Sequence, residues 1–88
     1  MSWQAIVTRE AEEDLDRLDR LVRSRILEKL NWLRENFDDL LPLPLGGRWR
    51  GFFKLRVGDW RIIYEIESNK KLVIIHHVGP RDKIYRQK

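Results

Sequence analysis

The chain contains no cysteine, a single methionine and only two histidines, which are adjacent at positions 76 and 77. Without cysteine there is no disulfide, no zinc–thiolate centre and no thiol nucleophile. Neighbouring residues on an extended strand point to opposite faces, so His76 and His77 are not expected to chelate one ion together. Neither a metal site nor a cofactor is expected. No apolar run approaches the roughly 20 residues of a membrane span, and the N-terminal residues offer no signal-peptide core. A soluble, cytoplasmic protein with no membrane partner is the expectation. Its 88 residues suffice for one domain, residues 1–88, with a core of modest size.

Charge of one sign is also scarce where it would balance the other. Residues 1–40 hold seven Lys/Arg and ten Asp/Glu, a net charge of −3, whereas residues 41–88 hold eleven and four, a net charge of +7. Basic charge gathered in one half points to a polyanionic partner, most simply nucleic acid.

The basic half carries a strand pattern. Phe53, Leu55 and Val57 alternate with Phe52, Lys54 and Arg56; after Gly58 and Asp59, Trp60, Ile62, Tyr64 and Ile66 alternate with Arg61, Ile63 and Glu65. Period two means strands, and a glycine-initiated two-residue connection means a tight hairpin. The register follows: Val57 faces Trp60, Arg56 faces Arg61, Leu55 faces Ile62, Lys54 faces Ile63 and Phe53 faces Tyr64. One sheet face is therefore apolar and the other carries Lys54, Arg56 and Arg61. Arginines opposite one another repel. Either they hold an anion, or they splay into water, or one pairs with Glu65 or Asp59. Leu72 to Val78 reads as a third, nearly continuous apolar strand after the turn residues 68–71. Its register stays open: a two-residue loop at Asn69 and Lys70 turns His76 to the cationic face and His77 to the core, and a three-residue loop reverses them.

Upstream, Trp3 to Val7 is a short strand that must pair with a later one. Thr8 can cap a helix with an acidic first turn and a stripe of Ala11, Leu15 and Leu18. Asp19 can cap a second, with Val22, Ile26, Leu30, Leu33 and Phe37 on one side and an end near Phe37. The two helices are expected to form an antiparallel hairpin on the sheet's apolar face as scaffold, with Trp32 at the edge of the core. Asp38 to Gly47, containing Pro42 and Pro44, reads as a connecting loop. Arg48, Trp49 and Arg50 then open the second strand, as phosphate contacts with a base-stacking ring or as an ordinary charged sheet edge. The expected fold is α+β, in the order β-α-α-β-β-β, with a mainly antiparallel four-stranded sheet and a two-helix hairpin on one face.

The ordered combination of a short first strand, a helical hairpin, the run Gly51-Phe52-Phe53-Lys54-Leu55-Arg56-Val57-Gly58-Asp59-Trp60-Arg61-Ile62-Ile63-Tyr64 and the ending Val78-Gly79-Pro80-Arg81 with Tyr85 resembles the RelE/ParE superfamily of toxins from type II toxin-antitoxin pairs. The resemblance is to its RelE-like members. It implies a ribosome-dependent mRNA endonuclease that inhibits translation, in which the ribose 2′-hydroxyl attacks the adjacent phosphate without a metal. The family's motif places its functional residues on Lys54, Arg61, Arg81 and Tyr85. Arg48, Arg50, Arg56, Lys83 and Phe52 become candidate RNA contacts, and His76 and His77 candidate proton-transfer groups. RelE itself has a second lysine where this chain has Phe52, so the general base is left among Lys54, the histidine on the cationic face and Tyr85. A lysine serves only if cationic neighbours favour its neutral form. Phe52 either stacks on a base or packs as an edge residue. The partners implied are a cognate acidic, RelB-like antitoxin, mRNA in the ribosomal A site and ribosomal RNA. The alternatives are a ParE-like inhibitor of DNA gyrase that performs no hydrolysis, and a degenerate toxin that only binds its antitoxin.

Overall fold

Two side-chain caps divide the first forty residues. In the computed structural model, which describes residues 2–86, the Thr8 hydroxyl accepts the Ala11 N–H at 3.2 Å and the Asp19 carboxylate accepts the Val22 N–H at 3.0 Å. Each satisfies a backbone donor that a helix start leaves open. The helices they begin are α1 (Arg9–Asp16) and α2 (Arg20–Asn36), preceded by strand β1 (Gln4–Val7). A 3-10 turn at Phe37–Asp39 ends the hairpin, and there the Trp3 indole donates to Asp38 at 2.8 Å. This bond ties the start of β1 to the end of α2.

The sheet has five strands where four were expected. They are β1, β2 (Leu43–Pro44), β3 (Phe53–Val57), β4 (Trp60–Glu67) and β5 (Leu72–Pro80), in the spatial order β1-β5-β4-β3-β2. Strand β1 runs parallel to β5 and the other pairs are antiparallel. The extra strand lies within the segment read as a loop: Leu43 pairs with Lys54 and Pro44 with Phe53. Two residues are too few to show alternation, and proline is tolerated because an edge strand needs no donor on its outer side. Arg48 and Trp49 do not open a strand either. They belong to a 3-10 turn, Gly47–Trp49, entered through Gly47 at a φ of 61°.

The β3–β4 register is the expected one at all five pairs, Phe53 with Tyr64 through Val57 with Trp60, across a turn whose Gly58 has a φ of 59°. Ala11, Leu15, Ile26, Leu30 and Leu33 from the helices bury against Leu55, Ile62, Tyr64, Val73, Ile75 and Val78. Phe53 stacks on Tyr64 with ring centroids 5.7 Å apart. Trp32 departs from expectation: it is 39% exposed and carries the Lys29 ammonium 3.8 Å from its ring centre.

Between β4 and β5 the pairing changes step. From Glu67 with Leu72 to Tyr64 with Ile75 it follows the closed end of the loop; beyond a bulge it resumes with Ile63 opposite His77 and continues to Trp60 opposite Pro80. His76 is the extra residue. Strand β1 ends beside Ile75, where Thr8 N–H donates to the Ile75 carbonyl at 3.0 Å. Past that point the Asp14 carboxylate of α1 takes over the edge of β5, accepting the Val78 N–H at 3.0 Å and the Arg17 guanidinium at 3.2 Å. Asp14 is the one charged side chain buried among the described residues.

Two stability measurements follow. Asp14→Ala leaves the Val78 N–H without its charged acceptor and is expected to lower urea-unfolding stability by about 2 kcal/mol, with Asp14→Asn, which keeps an acceptor, losing clearly less. The Tyr64 hydroxyl is buried without a hydrogen-bond partner, and burial pushes its pKa up from 10.0 to about 12. Between those values the unfolded chain sheds a proton that the folded chain keeps, so stability falls as pH rises, by roughly 1.4 kcal/mol per unit. Tyr64→Phe should flatten that alkaline limb and, by removing the unpaired hydroxyl, raise stability at neutral pH by about 1 kcal/mol.

Candidate functional site

The sheet face turned away from the helices is built in rows, because side chains two residues apart on a strand share a face. One row runs Arg56, Arg61, Gly79 and the next Lys54, Ile63, His77. Among the described residues neither the Lys54 nor the Arg56 side chain makes a hydrogen bond or ion pair. Arg61 does not splay away from Arg56 into water. Its Nη1 donates to the carbonyls of Gly58 and Trp60, each at 2.8 Å, so the guanidinium clamps the hairpin turn.

Arg81 arrives at the same corner by way of the turn after β5. Its N–H donates to the Asp59 carbonyl at 2.9 Å, and its Nε lies 4.0 Å from the Asp59 carboxylate, with the side chain 64% exposed. Arg56, Arg61 and Arg81 thus surround the β3–β4 turn at one end of the face. Tyr85 lies in a 3-10 turn, Ile84–Arg86, that folds back over the face. Ile84 is fully buried with Trp49 and Ile63, and Leu45, Phe52 and Tyr85 pack around them. The Tyr85 carbonyl accepts from Arg48 Nη2 and from the Trp49 indole, each at 3.0 Å. Arg48 therefore anchors the tail as well as presenting charge. Arg50 and Lys83 are exposed.

The bulge changes the expectation for the histidines. They do not divide between the two faces: the extra residue turns both toward the basic one. His76 lies with Nε2 at 2.5 Å from Glu65 Oε1 and its ring edge-on to Phe52, 5.2 Å between centroids. The His77 ring stands edge-on to Trp49 at 5.8 Å, and its Nδ1, buried without a hydrogen-bond partner, is 3.6 Å from Asp14 Oδ2. Phe52 is a packed edge residue, in contact with both Trp49 and His76.

Two carboxylates at this site escaped the sequence reading. Asp14 looked like one more acid of a helix start, and Glu65 like a partner for an arginine. The only available signal was an acid on the same strand face as a histidine of unsettled register. Together the groups offer guanidinium and ammonium donors for a phosphate, with imidazoles and a phenol beside them. Such donors stabilise charge that develops on phosphoryl oxygens.

Residues 5–85 match the family model described as ParE toxin of type II toxin-antitoxin system, parDE. The chain is 29% identical over 84 residues to the toxin RelE of Mycobacterium tuberculosis, covering 96% of this chain and 87% of the relative. Among solved structures, the toxin-antitoxin complex RelBE2 of M. tuberculosis matches with a TM-score of 0.82 at 24% identity, covering 92% of this chain and all of the other. An arginine double mutant of the E. coli toxin RelE in the free state matches with a TM-score of 0.77 at 19% identity, covering 99% and 94%. The archaeal RelE–RelB complex of Pyrococcus horikoshii OT3 matches with a TM-score of 0.71 at 23% identity, covering 92% and 97%. With the family model spanning nearly the whole chain and the fold shared with RelE structures, this chain belongs to the RelE/ParE superfamily of toxins of type II toxin-antitoxin systems.

Proposed function

We propose that the chain is a RelE-type mRNA endonuclease that cuts on the ribosome by attack of a ribose 2′-hydroxyl on the adjacent phosphate, and that an acidic, RelB-like antitoxin holds it in check. The observation that carries this reading is the gathering of Arg56, Arg61 and Arg81 around one end of a face that also holds Lys54, two histidines and Tyr85. In this reading Arg61 and Arg81 bind the phosphoryl oxygens as charge develops, Lys54 adds a third cation and Tyr85 takes part in proton transfer to the leaving group. Arg48, Arg50, Arg56 and Lys83 contact mRNA or ribosomal RNA, while Phe52 packs against Trp49 and His76. The antitoxin is inferred from the RelE–RelB complexes among the structural relatives and from the +7 charge of residues 41–88, which an acidic segment would neutralise.

A second reading, ParE-like inhibition of DNA gyrase through protein contacts, is favoured by the family model's description and by the structural use of Arg61 in its turn. Primer extension on translated mRNA, run beside a gyrase supercoiling assay with the same preparation, separates the two. Cleavage of mRNA with gyrase unaffected is the expected result; intact mRNA with supercoiling blocked reverses the assignment.

Lys54→Ala, Arg81→Ala and Tyr85→Phe are expected to retain folding, ribosome binding and antitoxin binding while losing on the order of 10²-fold or more in cleavage rate. Arg61→Ala should show the same kinetic loss and an additional drop of about 1 kcal/mol in stability, because two turn carbonyls lose their donor. Losses combined in one chain should fall short of their sum, since these groups act on one transition state.

Alanine at Arg48, Arg50 and Lys83 together should weaken association with RNA without sequence preference. Each phosphate contact removed should reduce the slope of log affinity against log salt by roughly 0.7 to 0.9. A slope unchanged from wild type would leave these residues outside the RNA interface.

A further inference from the structure

Each histidine of the basic face has its own carboxylate, and the two pairs are built differently. His77 points a buried Nδ1 toward Asp14, which is itself only 6% exposed and already holds the Val78 N–H and Arg17. Its ring is packed against Trp49. This pair supports the sheet edge. The His76 and Glu65 side chains instead keep 27% and 43% of their surface, and their contact at 2.5 Å is partly exposed. Phe52 braces the His76 ring at an interplanar angle of 77°.

The contact fixes more than position. A carboxylate at Nε2 holds the proton on that nitrogen and leaves the lone pair on Nδ1. The neighbouring row of the face holds Lys54, Ile63 and His77, with Lys54 two residues along the chain from Phe52, or about 7 Å of extended backbone. A phosphate held by Lys54 and the arginines would have the adjoining ribose on the His76 side.

We propose, resting on the endonuclease reading above, that His76 is the group that accepts the 2′-hydroxyl proton and that Glu65 is its positioning residue. As the bond from the 2′-oxygen to phosphorus forms, the proton passes to His76 Nδ1. The bond from phosphorus to the 5′-oxygen breaks, and the departing oxygen takes a proton through Tyr85, which regains one from water. His76 then returns its proton to water, leaving a 2′,3′-cyclic phosphate and a 5′-hydroxyl end. The bulge in β5 serves this step, because a regular continuation of the strand would place only one histidine on this face and would not set one against Glu65 and the other against Asp14.

The test combines single-turnover cleavage on mRNA-programmed ribosomes with ¹⁵N spectra of the histidine side chains in the free toxin. In wild type, His76 is expected as the tautomer protonated at Nε2, and Glu65→Ala should abolish that preference. His76→Ala should lose about 10²- to 10⁴-fold in the chemical step, restored in part by added imidazole, with ribosome affinity retained. Glu65→Ala should lose less than His76→Ala, and Glu65→Gln, which keeps an acceptor at Nε2, should recover part of that loss. A His76→Ala variant that cuts at the wild-type rate overturns the assignment. So does a loss that imidazole restores in His77→Ala but not in His76→Ala, or a wild-type His76 protonated at Nδ1. If the wild type itself leaves translated mRNA intact, the endonuclease reading falls and this assignment with it. Wild-type cleavage with unimpaired His76→Ala removes this assignment alone.

Discussion

One extra residue in β5 governs how the two ends of the molecule fit together. Below the bulge the strand is held in the register of the β4–β5 turn, closed by Glu67 opposite Leu72, and by its parallel pairing with β1. Above it, the strand is held by the Asp14 carboxylate at the Val78 N–H and by β4 from Ile63 to Trp60. Both halves must bury apolar side chains against the same helices: Val73 and Ile75 below, Val78 above. Those positions have opposite parity along the chain, and without an inserted residue one set would face solvent. His76 reconciles them. The histidine pair on the basic face is thus a consequence of satisfying the core on the other face.

The same constraint explains why the basic face can have a core of its own. Ile63, fully buried, is the floor on which Ile84 and Trp49 meet. This small cluster brings the segment after β5 back across the sheet, and the hydrogen bonds from Arg48 and Trp49 to the Tyr85 carbonyl lock it there. A face composed only of Lys54, Arg56 and Arg61 would gain nothing by binding that segment. Apolar residues set between the cations supply the attraction, and they place Tyr85 and Arg81 beside charges that would otherwise keep a basic tail away.

What the sequence made legible was local. The β3–β4 register could be read residue by residue because a two-residue turn leaves no freedom, and Thr8 and Asp19 announced the helix starts because capping acts over three residues. What it concealed depended on distant parts of the chain. Strand β2 is too short to alternate, and its pairing is fixed by β3. The bulge follows from competition between β1, α1 and β4 for one strand. Asp14 is separated by 64 residues from the N–H it holds, and nothing in the acidic run from Glu10 to Asp16 distinguishes it from its neighbours. The candidate cations were therefore visible before the fold was, and the carboxylates that orient the histidines were not.

Arg61 carries the sharpest tension between its place in the fold and the role proposed for it. Its place opposite Arg56 is unfavourable by simple repulsion, yet its Nη1 is held by two carbonyls at the turn. Carbonyl oxygens concentrated on one guanidinium edge stabilise its charge and orient the remaining edge, so the repulsion from Arg56 is offset within the hairpin itself. The arrangement needs no bound anion to persist. It also restricts the guanidinium to one direction. A donor already oriented before a phosphate arrives loses little freedom on binding it, and that preorganisation is the property by which a fixed charge lowers a barrier rather than merely attracting a ligand.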